Sequence, residues 1–252
     1  DNTFFNGGVS YNSKKLYGSL YYYDLGKNYL TDVGFTPRIY NYDANRDTIV
    51  RKGYKQIYFR SGYKIYSQHE ALSHHTFDLY TRTYFSTNGS LNERTYMLSY
   101  YLSFQNMAVF QTTVGHFGTH LPYSTYLISS DQPLPAERYT YNSLHMGYQT
   151  STKKILYGNL FGEYGGFYNG TKLTVGTDIN YRRQPWGNFG INYHVNRVKL
   201  AEGFGAQDIH LIGSKAEIAF SQVMFLTSFI QYNTQVENFN VNVRFQWRYR
   251  TM

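Results

Sequence analysis

Apolar and polar residues alternate along almost the whole chain, and this alternation limits what the chain can fold into. In the stretch FNVNVRFQWRYRTM, residues 239–252, every second residue from Phe239 to Tyr249 is apolar or aromatic, and the residues between them are Asn, Arg or Gln. Successive side chains of a β-strand point to opposite faces. The stretch therefore predicts a strand with one apolar face and one polar face.

The same two-residue period recurs through the chain, and helical periodicity is almost absent. It is clearest in residues 57–65, 74–85, 94–104, 172–182 and 188–196. Weaker strands are predicted near 4–12, 15–25, 107–119, 138–150, 154–166, 207–221 and 222–236. This makes about thirteen strands, most of ten or more residues. Strands of globular proteins have a mode of about 5–6 residues, whereas a membrane-spanning strand needs about 9–11.

Short polar turns and three longer connections separate these strands. The longer connections cover roughly 26–50, 119–138 and 199–207, after the second, sixth and tenth predicted strands. Because all three follow an even-numbered strand, they should lie at one end of an up-and-down sheet. Short turns at one end and longer loops at the other are typical of transmembrane β-barrels.

Alternation alone leaves two architectures open. A soluble sandwich or barrel packs its apolar face inward, whereas a membrane barrel turns that face to lipid and encloses the polar one. Long strands and charged residues repeated on the polar face favour the membrane barrel. So do Tyr and Trp residues near the strand ends, which suit aromatic girdles at a bilayer interface: Tyr21, Tyr22, Tyr23, Tyr100, Tyr101, Trp247 and Tyr249.

Composition excludes several classes of protein. The 252 residues include no cysteine, which removes disulfides, thiolate metal sites and cysteine nucleophiles. The longest apolar runs fall short of the ~20 residues of a membrane helix, and no signal-peptide pattern is visible. The net charge of +8 is spread without a run of five basic residues. We therefore expect no nucleic-acid partner.

Charged residues on the polar faces of the predicted strands are the candidate functional residues. If the polar faces line a lumen, the mixed but net positive charge would attract anionic solutes. The charges could equally pair with one another and plug the lumen. The predicted lumen-facing residues are Arg60, Asp78, Arg82, Lys172, Asp178, Arg182, Arg244 and Arg248.

The first long connection contains a motif that predicts a loop of fixed shape. In GFTPR, Gly34 permits unusual φ angles and is followed by Phe35, and Pro37 stiffens the turn. Arg38 can form a forked bond with a carboxylate. We expect a folded loop, directed into the lumen and held by pairs of Asp24, Asp32 or Asp43 with Arg38 or Arg46; a substrate-binding or gating loop is the alternative.

Catalytic and metal-binding patterns are weak. His69, His74 and His75 lie near Glu70, but neighbours on a strand point to opposite faces, so an ordinary turn is the better interpretation. No Ser-His-Asp order, carboxylate pair or phosphate-binding loop stands out. The tripeptide DTI at 47–49 resembles the O-glycosylation signal of Bacteroidota, with Thr48 as the acceptor. We expect no enzymatic activity, no cofactor and no metal.

Two stretches resemble a Bacteroidota outer-membrane family of unknown function. LTDVGFTPRIYNYDA, residues 30–44, is similar to its Gly-Phe-x-Pro-Arg loop, and VNVRFQWRYRTM, residues 241–252, is similar to the penultimate segment of its barrel. In that family a carbohydrate-binding-module-9-like domain precedes the barrel, and a further strand follows. The resemblance implies a barrel incomplete at both ends and raises glycan-related binding or uptake as an alternative.

The sequence thus predicts an all-β protein with one domain, residues 1–252, forming part of a transmembrane antiparallel up-and-down outer-membrane β-barrel. Its predicted role is a channel or docking scaffold in the outer membrane of a Gram-negative bacterium, in contact with outer-membrane lipid and lipopolysaccharide. A structural subunit of an outer-membrane assembly or secretion complex, bound to other outer-membrane or periplasmic proteins, is the alternative. A soluble β-protein would instead fold without detergent.

Overall fold

The computed structural model describes residues 2–31, 36, 38–128 and 132–249. These residues form an all-β structure in which no helix occurs. The strands, in chain order, are β1 (Phe4–Asn12), β2 (Leu16–Leu25), β3 (Tyr40–Asp43), β4 (Thr48–Arg51), β5 (Tyr54–Tyr66), β6 (Leu72–Ser86), β7 (Leu91–Phe104), β8 (Val109–His120), β9 (Arg138–Gln149), β10 (Leu156–Phe167), β11 (Gly170–Arg183), β12 (Gly187–Lys199), β13 (Ala206–Ala219), β14 (Met224–Asn233) and β15 (Asn238–Trp247).

Thirteen of the strands form one antiparallel sheet in which each strand pairs with the next one along the chain. Its order is β1-β2-β5-β6-β7-β8-β9-β10-β11-β12-β13-β14-β15. The predicted number of strands and the up-and-down connectivity are therefore confirmed. The two remaining strands, β3 and β4, form a separate hairpin.

The two faces of the sheet differ in both chemistry and exposure. On β6, Phe77 is 48% exposed and Leu79 41%, whereas Asp78 between them is 3% exposed. On the neighbouring strand Leu98 is 59% exposed and Ser99 only 6%. We call the face that carries Asp78 and Ser99 the polar face and the opposite one the apolar face. At these positions the polar side chains are buried and the apolar ones are exposed, which is the reverse of a soluble sandwich.

The connections lie at two ends, and the predicted asymmetry between them is confirmed. One end, which we call the turn end, carries the connections 13–15, 67–71, 105–108, 150–155, 184–186 and 220–223. The other, the loop end, carries 26–53, 121–137 and 200–205, which follow the second, sixth and tenth strands of the main sheet. The first two are its longest connections, whereas 200–205 has six residues, as many as 150–155 at the turn end.

The hairpin β3–β4 inside the first long connection was not predicted. Each of its strands has four residues, too few to establish an alternating pattern. Its position depends on contacts with the second long connection. The Ala44 amide donates to the Ser124 carbonyl at 2.9 Å, and the rings of Tyr42 and Tyr126 lie 6.5 Å apart.

The apolar core of the described residues lies at the loop end. Leu134 of the second long connection packs with Tyr139, Val198 and Leu200, and Phe204 of the third connection packs against them. Tyr139 and Val198 belong to the polar face by register. The long connections 26–53, 121–137 and 200–205, which we call the loop cluster, therefore fold over the loop end of the polar face.

The main sheet is open in the described part of the chain. No hydrogen-bond ladder joins β1 to β15 there, so the described residues form an open sheet, and the barrel of which it is predicted to be a part is not observed. Both strands run from the loop end to the turn end. A search of the same residues for helices long and apolar enough to span a bilayer finds none.

Candidate functional site

The register of the sheet places all eight predicted lumen charges on the polar face. Residues directly opposite each other in adjacent strands share a face, and the pairing can be followed from Arg60 on β5 to Arg244 on β15. Arg248, four residues beyond Arg244, continues the same face past the end of β15. That this face encloses a lumen remains a prediction.

Arg60 and Asp78 are the one pair among the predicted residues that the fold brings into contact. The Arg60 Nε donates to Asp78 Oδ2 at 2.9 Å and to Oδ1 at 3.2 Å. The Tyr17 hydroxyl from β2 donates to the same carboxylate. Donors from β2 and β5 thus replace the water that burial removes from the Asp78 carboxylate.

Each of the other carboxylates on the described polar face also has a basic partner. Glu163 lies 3.5 Å from the Lys172 ammonium, and Asp178 lies 3.4 Å from His194 Nε2. Glu217 lies 2.6 Å from the Lys215 ammonium. Glu93, Glu163, His194, Lys215 and Glu217 escaped the sequence prediction, although their positions in the alternating pattern would have identified them.

Five cations of the polar face have no carboxylate partner among the described residues: Lys64, Arg82, Arg182, Arg244 and Arg248. Aromatic rings hold three of these arginines. Arg82 lies 5.3 Å from the Tyr80 ring centroid, Arg182 lies 4.9 Å from that of Tyr157, and Arg248 lies 5.3 Å from that of Phe225. Since cation–π contacts position a guanidinium without neutralising it, the polar face keeps a surplus of positive charge.

Arg38 links the loop cluster to the sheet. Its guanidinium pairs with Glu93 of β7 and lies 4.1 Å from the ring centroid of Tyr84 of β6. The predicted carboxylate partner of Arg38 therefore comes from the sheet, through a contact between Nη1 and Glu93 Oε1. Burial alone would lower the pKa of Arg38, but the Glu93 carboxylate outweighs this effect and raises it.

The backbone at Arg38 supports this interpretation. Its φ of 65° lies in the left-handed region, which costs free energy for a residue with a Cβ. Contacts with Glu93 and Tyr84 offset that cost and hold the loop in one shape. The rest of the predicted motif, Gly34, Phe35 and Pro37, lies outside the described residues.

The remaining predicted positions have simpler environments. Thr48 is exposed at the start of β4, so a modifying enzyme could reach it, and its glycosylation remains a prediction. His74 and His75 pair with Tyr66 and Ile65, which places them on opposite faces as expected. The described residues contain no group of three or more His, Asp or Glu side chains that could hold a metal ion.

The prediction of aromatic girdles was wrong for three tyrosines. Tyr21, Tyr23 and Tyr101 belong to the polar face by register, whereas Tyr22, Tyr100 and Trp247 belong to the apolar face. Neighbours on a strand cannot share a face, so a cluster such as Tyr21–Tyr23 has to divide between the two. The polar-face tyrosines pack with others; Tyr21 and Tyr58 lie 6.0 Å apart, and Tyr58 and Tyr80 lie 5.5 Å apart.

Comparisons of the chain with protein-family models, curated proteins and solved structures find no match. The resemblance of residues 30–44 and 241–252 to a Bacteroidota family therefore remains a prediction. Function has to be argued from the geometry of the two faces and of the loop cluster.

Proposed function

We propose that the chain forms the wall of an outer-membrane β-barrel channel, with its apolar face against lipid and its polar face along a water-filled passage. The observation that carries the proposal is the inverted exposure of the sheet. Leu98 and Val114 are 59% and 56% exposed, while Ser99 and Thr113 beside them are 6% and 9% exposed. A contiguous exposed apolar surface of this extent needs a non-aqueous partner, and alternation of this kind is the pattern of membrane barrels.

An oblique line of aromatic residues on the apolar face supports a bilayer as that partner. It crosses the sheet near the turn end through Tyr11, Tyr63, Tyr100, Tyr148, Tyr181 and Trp247. The line shifts toward the turn end by about one residue per strand. Each residue advances about 3.3 Å along a strand and neighbouring strands lie about 4.8 Å apart, so the line is inclined by about 35° to the perpendicular of the strands. Strands of membrane barrels tilt by about 35–45°, so the line would follow one bilayer interface.

The loop cluster suits a constriction of such a passage. Ile39 is fully buried, and Arg38 joins the cluster to the polar face through Glu93. A cavity of about 110 Å³ lies between the first and second long connections and the sheet, lined in part by Arg38, Tyr54 and Tyr84. That volume accommodates only a few waters, so solutes would pass beside the loop cluster.

Conductance tests the proposal. Protein purified in detergent is added to a planar lipid bilayer, and the current is compared with that of a sample denatured before addition. We expect stepwise conductance increases from the folded protein alone. Currents indistinguishable from those of empty lipid, with the protein shown to be inserted, would exclude a channel.

Docking within a larger assembly is a second candidate, favoured by the two edges of the sheet. In the described residues the outer sides of β1 and β15 have no strand partner, and unpaired backbone groups are costly in lipid. Extraction in a mild detergent should then yield other envelope proteins in a fixed ratio to this chain. A monodisperse preparation of this chain alone would count against docking.

A further inference from the structure

A cleft at the turn end of the polar face contains two arginines without acidic partners. Arg182 of β11 and Arg248 beyond β15 line it, together with amide side chains and Phe225. Its volume is about 570 Å³, within the range of about 300–1,000 Å³ for small-molecule sites. We call it the arginine cleft.

Both guanidinium groups are positioned before any ligand arrives. Arg182 Nη2 donates to the Tyr157 hydroxyl at 3.1 Å, and Nη1 donates to the Thr152 carbonyl at 3.4 Å. Arg248 lies over the Phe225 ring, and its backbone amide donates to the Val223 carbonyl at 2.8 Å. These contacts restrict both side chains without cancelling their charge, so less conformational entropy is lost on binding.

The carboxylate in the same cleft, that of Glu217, does not neutralise the two arginines. Glu217 pairs with Lys215 at 2.6 Å and also accepts a hydrogen bond from the Asn188 amide at 3.5 Å. Gln184 and Gln246 add neutral amide donors to the lining. The free donors of the cleft are therefore cationic or neutral, and they match the oxygen atoms of an oxyanion.

We propose that the arginine cleft binds oxyanions, carboxylate or phosphate, at Arg182 and at Arg248, and that these two positions make the passage prefer anions. The binding step depends only on the cleft; the preference for anions rests on the proposed channel function. Phe225 and Pro185 give the cleft an apolar side, so an anion attached to an apolar or ring-shaped group fits better than a bare ion.

Calorimetry tests the binding step without requiring a channel. Detergent-solubilised protein at low salt, where charge is least screened, is titrated with inorganic phosphate and, separately, with acetate and benzoate. We expect Arg182→Gln and Arg248→Gln each to weaken phosphate binding at its own position about tenfold, because each removes a charge-assisted donor. Benzoate should bind more tightly than acetate. Lys153→Gln removes the same charge at the same end of the sheet but from an exposed turn, and it should bind phosphate like the unmodified protein.

Two results would overturn the proposed site: no phosphate binding by the unmodified protein, or equal weakening by Lys153→Gln and Arg182→Gln. Arg248 lies beyond the last strand, so its variant keeps the test valid if Arg182→Gln fails to fold.

The reversal potential in a potassium chloride gradient tests selectivity; we expect an anion preference that Arg248→Gln lowers by about twofold. Phosphate binding without conductance would contradict the proposed channel function but support the proposed binding site. Conductance without phosphate binding would contradict the binding site but support the channel function.

Discussion

At the scale of single residues, the most buried charge of the polar face has the most partners. Asp78 is 3% exposed, and it accepts hydrogen bonds from Arg60 and Tyr17 of two other strands. Arg82, four residues away on β6, lies 5.9 Å and 5.3 Å from the ring centroids of Tyr58 and Tyr80 and has no carboxylate partner among the described residues. The face therefore combines ion pairs, which fix side chains on the sheet, with cations that have no carboxylate partner in the described part of the chain.

Asp78→Asn should destabilise the protein by about 2–4 kcal/mol, because it leaves Arg60 without its carboxylate and places an amide donor against a guanidinium. Urea-induced unfolding in detergent measures the loss. Asp208→Asn is the matched control, since Asp208 pairs with Arg197 in an exposed position on the apolar face. A loss as large for Asp208→Asn as for Asp78→Asn would show that burial is not the cause.

Tyr168 provides a pH-dependent contact at the loop end. It lies in the turn between β10 and β11, with ring centroids 5.4 Å from Tyr139 and 6.0 Å from Tyr141. Burial raises the pKa of Tyr168 to about 12, against about 10 in an unfolded chain. Burial of the neutral Tyr168 side chain therefore contributes fully to the free energy of unfolding below about pH 10, and this contribution is lost as the pH rises toward 12.

The free energy of unfolding should therefore fall more steeply between about pH 10 and 12 in the unmodified protein than in Tyr168→Phe, which has no hydroxyl to ionise. Denaturant midpoints measured across this range give the two slopes. Parallel slopes would mean that Tyr168 ionises as easily in the folded protein as in the unfolded chain.

At the scale of elements, the loop cluster depends on contacts between segments far apart in the chain. Lys52 and Arg46 of the first long connection lie 4.4 Å and 5.6 Å from the ring centroid of Tyr123 in the second. Arg38 attaches the first connection to β6 and β7. The shape of each connection is thus stabilised by the other connection and by the sheet.

Arg38→Gln should loosen the first long connection, because the neutral amide cannot replace the ion pair with Glu93. Limited proteolysis should cleave residues 26–53 several-fold faster, since cleavage requires local opening. If the protein conducts, its conductance should rise by roughly half as the constriction widens. Lys27→Gln, at an exposed site in the same connection, is the control. Equal cleavage rates for the two variants would show that Arg38 does not hold the loop.

At the scale of the whole molecule, the apolar face has the height that a bilayer requires. On β15 it extends from Phe239 to Trp247, and eight steps of about 3.3 Å make roughly 26 Å along the strand. A tilt of about 35° reduces this to about 22 Å along the membrane normal, close to the apolar band of about 25 Å on outer-membrane barrels.

Leu144→Arg should reduce stability in lipid vesicles by about 2–4 kcal/mol, the cost of an arginine near the bilayer midplane, whereas Tyr148→Arg should cost about 0–1 kcal/mol at the interface. Both positions are on the apolar face of β9; Tyr148 belongs to the aromatic line, and Leu144 lies four residues from it toward the loop end. Unfolding from vesicles measures the difference. If both variants fold without detergent and are equally stable, the face does not contact lipid.

Much of the secondary structure was predictable because its signal is local. The alternating residues of β6, β7 and β15 identify each strand from its own sequence. The charges at Arg60, Asp78 and Lys172 could be assigned to one face for the same reason. Glu93 as the partner of Arg38 could not be predicted, because that contact joins a loop to a strand far along the chain.

The sequence by itself determined the strands, their up-and-down order, the chemistry of the two faces and the end that carries the long connections. These properties follow from side-chain periodicity and connection length, both of which are local properties of the sequence. Only the tertiary structure decided which charges are paired, which arginines are held by rings and how the loop cluster covers the polar face. Those features depend on register and on contacts between distant segments, which alternation leaves open.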